Sequence, residues 1–129
     1  MNTTQPSRLR SVKKPFGPKP KHADVLANRV LNKYRVRARD ADILFALEYE
    51  DVEKLVHEDC HYCGGSPANI LTRYPDDRYQ GIDRVDSSKG YVNDNVVPCC
   101  KVCNYAKHTL SLEEWRDWIN RLYKRLNKN

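Results

Sequence analysis

Cys60 and Cys63 form one CxxC pair, Cys100 and Cys103 form a second, and 36 residues lie between them. A two-residue gap lets both sulfurs of a hook reach one ion, so four thiolates in this pattern suit a tetrahedral zinc site. Gly64 and Gly65 permit the turn in which backbone amides point at sulfur. Four sulfurs leave no open position for water, so such a zinc stabilises the fold rather than performing chemistry. Cys99 is the spare thiol, because only Cys100 sits at the two-residue gap from Cys103. The separation exceeds the ~15 to 20 residues of the common template, so something structured is inserted between the hooks. Two plainer readings stand beside this one: four buried cysteines with no metal, and a zinc ribbon that only scaffolds a protein-binding surface.

Asp83, Asn104 and His108 form a second constellation. Asn104 and His108 are four apart on a predicted helix and so share a face that can point at whatever the strand bearing Asp83 presents. A carboxylate, a carboxamide and an imidazole suit a hard or borderline divalent ion. Such an ion polarises a phosphodiester and stabilises its leaving oxygen. The same residues serve equally as a loop-capping carboxylate and a cap at a helix C-terminus.

The elements that must position these groups follow from periodicity. Leu26, Val30, Leu31 and Tyr34 predict a helix over 24–37 with Asp24 as its N-cap, and the opposite face carries Arg29, Lys33, Arg35, Arg37 and Arg39. Ile43, Phe45 and Leu47 alternate as a short extended segment, and 50–56 gives one or two helical turns. Residues 66–77 read as a polar loop, 79–85 as a strand, 87–94 as a loop around Gly90, 95–99 as a second strand, and 101–109 as a short helix. Ser111 and Glu114 make a capping-box pattern, followed by an apolar stripe of Leu112, Trp115, Ile119, Leu122 and Leu126. Trp115 and Trp118 read as packing rather than as a base-stacking platform.

At 129 residues and 40% apolar composition, the chain has room for one modest core that needs a staple. No run approaches ~18 consecutive apolar residues, which excludes a membrane-spanning helix. The first segment lacks the apolar centre of a secretory signal, and an odd cysteine count with metal spacing fits a reducing, intracellular setting. The net charge of +6 resides in residues 1–22, where Arg8, Arg10, Lys13, Lys14, Lys19 and Lys21 meet no acid. We therefore divide the chain into a basic, disordered arm (1–22), an N-terminal helical region (23–58) and a zinc-stapled domain with a C-terminal helix (59–129). Arg8, Arg10, Lys13 and Lys14, with Arg35, Arg37 and Arg39, are candidate phosphate contacts, because cations on a polyanion release condensed counterions. A solubilising tail or an organelle-targeting leader explains the arm as well.

The runs CHYCGG from Cys60 and GIDRVDSSKGYVNDNVVPCCKVCNYAKH from Gly81 to His108 resemble the HNH endonucleases, particularly the small zinc-stapled versions of bacteriophages and mobile elements. The resemblance rests on the cysteine pairs, Asp83, Gly90, Asn95 five residues before Cys100, and the adjacent Cys103 and Asn104. It implies an α+β fold, a ββα-metal (His-Me) finger stapled by zinc and flanked by N- and C-terminal helices. It also implies that Asp83, with Asn104 or His108, holds a catalytic Mg2+ or Mn2+, and that Asn95 ties down the loop between the strands.

The family's general-base histidine corresponds to Arg84, a departure from the pattern. Arginine stays protonated at physiological pH but binds phosphate bidentately. Asp86, Tyr91 or His108 would then take the proton, or a metal-bound hydroxide would attack with no side-chain base, or the site is inactive. The expectation is a DNA endonuclease or nickase, a monomer or homodimer; a zinc-stapled nucleic-acid-binding module without catalysis is the alternative.

Overall fold

The computed structural model describes residues 21–128. Arg8, Arg10, Lys13 and Lys14, and nearly all of the basic arm, lie outside those residues.

Helix α1 (Ala23–Asp40) is longer than its apolar spacing predicts and starts from His22 rather than Asp24. Tertiary contacts set that start. The backbone N–H of His22 donates to Asp77 Oδ2 at 3.1 Å, its ring Nδ1 lies 2.8 Å from the same oxygen, and the ring rests 4.3 Å from that of Tyr74. Asp24 instead accepts a hydrogen bond from Tyr49 Oη at 2.9 Å. Leu26, Ala27, Val30, Leu31, Tyr34 and Ala38 are buried, while the arginines face outward. A short helix α2 (Tyr49–Leu55) packs on α1 through Val52 and Leu55.

The polar stretch predicted as a loop contains an antiparallel pair, β1 (Asn69–Leu71) and β2 (Tyr74–Tyr79), with an irregular register between Asn69 and Leu71. Backbone pairing there proceeds without the apolar alternation that marks a half-buried strand. Gln80 then joins three elements: its N–H reaches Val56 O at 2.8 Å and its Nε2 reaches Glu58 O and Gly65 O, each at 3.1 Å.

Strands β3 (Gly81–Arg84) and β4 (Val96–Cys99) pair antiparallel, with Asp83 opposite Val97 and Arg84 opposite Val96. Helix α3 (Lys101–Lys107) follows directly, completing a ββα unit. It ends two residues before the predicted boundary, and His108 is its C-cap, with φ of 50° in the left-handed region. The inter-strand loop presses on the segment before α2: Tyr91 N–H donates to Leu44 O at 2.8 Å and Ala46 N–H to Tyr91 O at 2.9 Å. Gly90 is required there, since a Cβ would lie 2.5 Å from Leu44 O.

Helix α4 (Leu112–Leu126) carries the predicted capping box, with Ser111 Oγ accepting from Glu114 N at 3.1 Å and Glu114 Oε1 from Ser111 N at 2.9 Å. Its stripe is not a core face. Trp115 is buried, whereas Trp118, Ile119, Leu122 and Leu126 are exposed. The described core joins α1 and α2 to Tyr79, Ile82, Tyr91 and Val96. Among the described residues no helix is long and apolar enough to cross a membrane.

Candidate active site and metal centre

The sulfurs of Cys60, Cys63, Cys100 and Cys103 all lie within 4.8 Å of one another. Cys63 Sγ and Cys100 Sγ are 3.7 Å apart, close to the edge of a tetrahedron built on metal–sulfur bonds of ~2.3 Å. Gly64 supplies the turn, at φ of 77°. Backbone N–H groups of Gly65 and Cys103 point at Cys63 Sγ and Cys100 Sγ, each at 3.4 Å. Burial pushes the Cys63 and Cys103 thiols up, and the Cys99 thiol hydrogen-bonded to Cys60 lowers the latter. A divalent cation is what allows four crowded sulfurs to be anionic together. The donor set and spacing therefore suit a structural metal. Cys99 is buried outside the quartet, its Sγ also 3.4 Å from Cys100 O.

Arg37, Asp83, Arg84, Asn104 and His108 line one open cleft of about 240 Å³, together with Tyr34, Tyr91 and Tyr105. The C-terminal half of α1, strand β3, the inter-strand loop and helix α3 build it. Asn104 enters from α3, and His108 from the cap just beyond it. Asn95 is outside this cleft. Its side chain is buried behind the loop, where Nδ2 donates to Asp86 O at 3.1 Å and Gly90 O at 3.0 Å, and Oδ1 accepts from Asp86 N at 3.0 Å.

Arg84 is clasped on one side. Its Nη1 donates to Ser87 O at 2.7 Å and Lys89 O at 2.9 Å, and its guanidinium lies 5.3 Å from the Tyr91 ring centroid. Asp86 is absent from the cleft lining; its Oδ1 accepts from Ser88 Oγ at 2.6 Å and Ser88 N at 2.9 Å. Those bonds hold its carboxyl below the usual range, which makes it a poor proton acceptor. Of the three α1 arginines expected to contact phosphate, only Arg37 reaches the cleft: Arg35 lies over Phe45, and Arg39 bonds Asp40 at 3.3 Å.

Two residues that the sequence reading did not single out grip Asp83. Tyr62 Oη donates to Asp83 Oδ2 at 2.8 Å, and Lys107 Nζ lies 3.1 Å from the same oxygen and 3.2 Å from Arg84 O. Asp83 is 6% exposed and Lys107 0%. Burial, with Asp83 alongside, pushes the Tyr62 hydroxyl well above its ordinary value. Lys107 had a signal: it follows the inward-facing Cys103 by one helical turn, so it points inward too.

No family model matches the chain. An uncharacterized protein of Acanthamoeba polyphaga mimivirus is 35% identical over 81 residues, 63% of this chain and 14% of that protein. The chain thus spans only a small part of that relative's length. The solved structure of the rare-cutting HNH restriction endonuclease PacI is similar with a TM-score of 0.59 and 20% identity, covering 77% of this chain and 78% of that one. With its ββα unit, flanking helices and cysteine quartet, the chain has the fold of an HNH endonuclease.

Proposed function

We propose that the chain is a metal-dependent HNH-type DNA endonuclease or nickase that hydrolyses phosphodiester bonds. The observation that carries this reading is the single cleft lined by Asp83, Arg84, Asn104 and His108. Asp83 Oδ2 is taken by Tyr62 and Lys107, which leaves Oδ1 to join the Asn104 carboxamide as ligands of Mg2+ or Mn2+. When bound, the ion would polarise the scissile phosphate and stabilise the departing oxygen.

The chain's own groups supply the rest. Arg84 has one nitrogen committed to the loop, and its Nε and Nη2 have no protein partner among the described residues, so they can take phosphate oxygens. Arg37 holds the neighbouring phosphate from α1. His108 is either a third ligand or the group that takes a proton from the attacking water, roles that the pH profile of His108→Ala separates. The cysteine quartet holds structural zinc, and the basic arm adds salt-dependent, sequence-independent affinity. With one such active site per chain, a monomer would nick and a homodimer would cut both strands.

The test is relaxation of supercoiled plasmid by the purified chain with Mg2+ or Mn2+. Asn104→Ala should slow nicking on the order of 100-fold, the scale of losing one electrostatic element at a reacting centre. Asn104 is a cleaner probe than Asp83, whose removal strands a buried lysine. The clasped Arg84 favours a second reading, a zinc-stapled nucleic-acid-binding module without catalysis. Salt-dependent DNA binding with no nicking in either metal would select it.

A further inference from the structure

We infer that Tyr62 and Lys107 are positioning residues that fix the Asp83 carboxylate so that one oxygen alone faces the cleft, and that both are suspended from the cysteine cluster. The inference rests on the endonuclease reading above and goes beyond it by tying the structural metal to the catalytic one.

An aspartate carboxylate turns easily about its last torsion. Left alone, Asp83 would present either oxygen, or both, to a cation. Two donors remove that freedom by converging on Oδ2, Tyr62 Oη at 2.8 Å and Lys107 Nζ at 3.1 Å. Tyr62 lies between Cys60 and Cys63, on the hook itself. The next backbone N–H upstream, that of His61, donates to Pro98 O at 2.8 Å and fixes the hook to β4, the strand paired with Asp83. The Tyr62 ring meets Trp115 edge-on at 5.9 Å, which sets its direction. Lys107 sits on α3, which is N-capped by Cys100 and contains Cys103. With 0% exposure it has no route to solvent, so its ammonium is committed to Asp83 and the Arg84 carbonyl. Both grips therefore hang from pairs of zinc-ligating residues, one from each hook.

Tyr62→Phe tests this with the least disturbance, because it removes one O–H and keeps the ring against Trp115. On zinc-loaded protein, Mn2+ binding is measured by electron paramagnetic resonance of the free ion, alongside plasmid nicking. Tyr62→Phe should retain its zinc and its DNA KM, weaken Mn2+ binding by roughly 10- to 100-fold, and lower kcat, the range seen when a group that orients a metal ligand is lost. Lys107→Met should shift Mn2+ binding in the same direction, and Tyr62→Phe decides the matter if Lys107→Met does not fold. Wild-type Mn2+ affinity and kcat in Tyr62→Phe, with nicking that still depends on Asn104, would overturn the inference and leave the endonuclease reading standing. Neither Mn2+ binding nor nicking by the wild-type chain would overturn both.

Discussion

Lys107 Nζ and Asp83 Oδ2 are 3.1 Å apart, and both side chains are buried. Taking two charges out of water is costly, and breaking such a pair by deleting one partner leaves the other uncompensated. Lys107→Met and Asp83→Asn should each lower stability by about 3–5 kcal/mol, whereas the double variant should lose less than the sum. Urea unfolding of the four proteins, all zinc-loaded, measures the coupling.

Arg84→His installs the imidazole that the HNH pattern has at this position. It also removes two hydrogen bonds from the guanidinium to the carbonyls of Ser87 and Lys89. Hydrogen bonds to charged groups contribute about 1.5–3 kcal/mol when well formed, and these are partly exposed, so a loss near the lower figure is expected. We expect reduced nicking and faster proteolysis of residues 85–92. Increased nicking would mean that the inter-strand loop needs no clasp.

Removing the metal should unfold the ββα unit. Zinc ligation in small domains is folding free energy, and this core is modest. Chelation should release one zinc per chain, counted colorimetrically, with a parallel loss of ellipticity and of Trp115 fluorescence. Cys63→Ser should give the same result, while Cys99→Ser should keep its zinc.

Alkaline pH should also loosen the fold. Burial pushes the Tyr34 hydroxyl above its ordinary value of 10.0, against the lowering effect of the Ile82 N–H that donates to it at 3.1 Å. A group whose folded pKa exceeds its unfolded one contributes stability that is fully present below about 10 and is lost as pH rises through the folded value. The urea midpoint should fall above pH 10, and Tyr34→Phe should fall less steeply there despite starting lower at pH 7.

The parts legible in the sequence are those fixed by short spacing. The CxxC pairs, the Ser111–Glu114 box and the apolar positions of α1 each draw on residues within a turn or two of one another. The β1–β2 pair escaped because Tyr74, Pro75, Asp76 and Asp77 carry no alternation, and backbone hydrogen bonds there act without it. Lys107 and Tyr62 escaped for a different reason. A lysine is ordinarily solvated, and the partner that makes burial tolerable is 24 residues away in sequence. The α4 stripe shows the converse: its amphipathic spacing is regular, yet among the described residues Trp115 is the one member of it that is buried.

Helix α3 spans only seven residues, Lys101–Lys107, and within them Cys103, Asn104 and Lys107 serve the sulfur cluster, the cleft and the buried ion pair in turn. Each residue advances the helix by about 100°, so inserting or deleting one between Cys103 and Lys107 would swing every later side chain past its partner. The spacing of these three residues is therefore as tightly fixed as their identities.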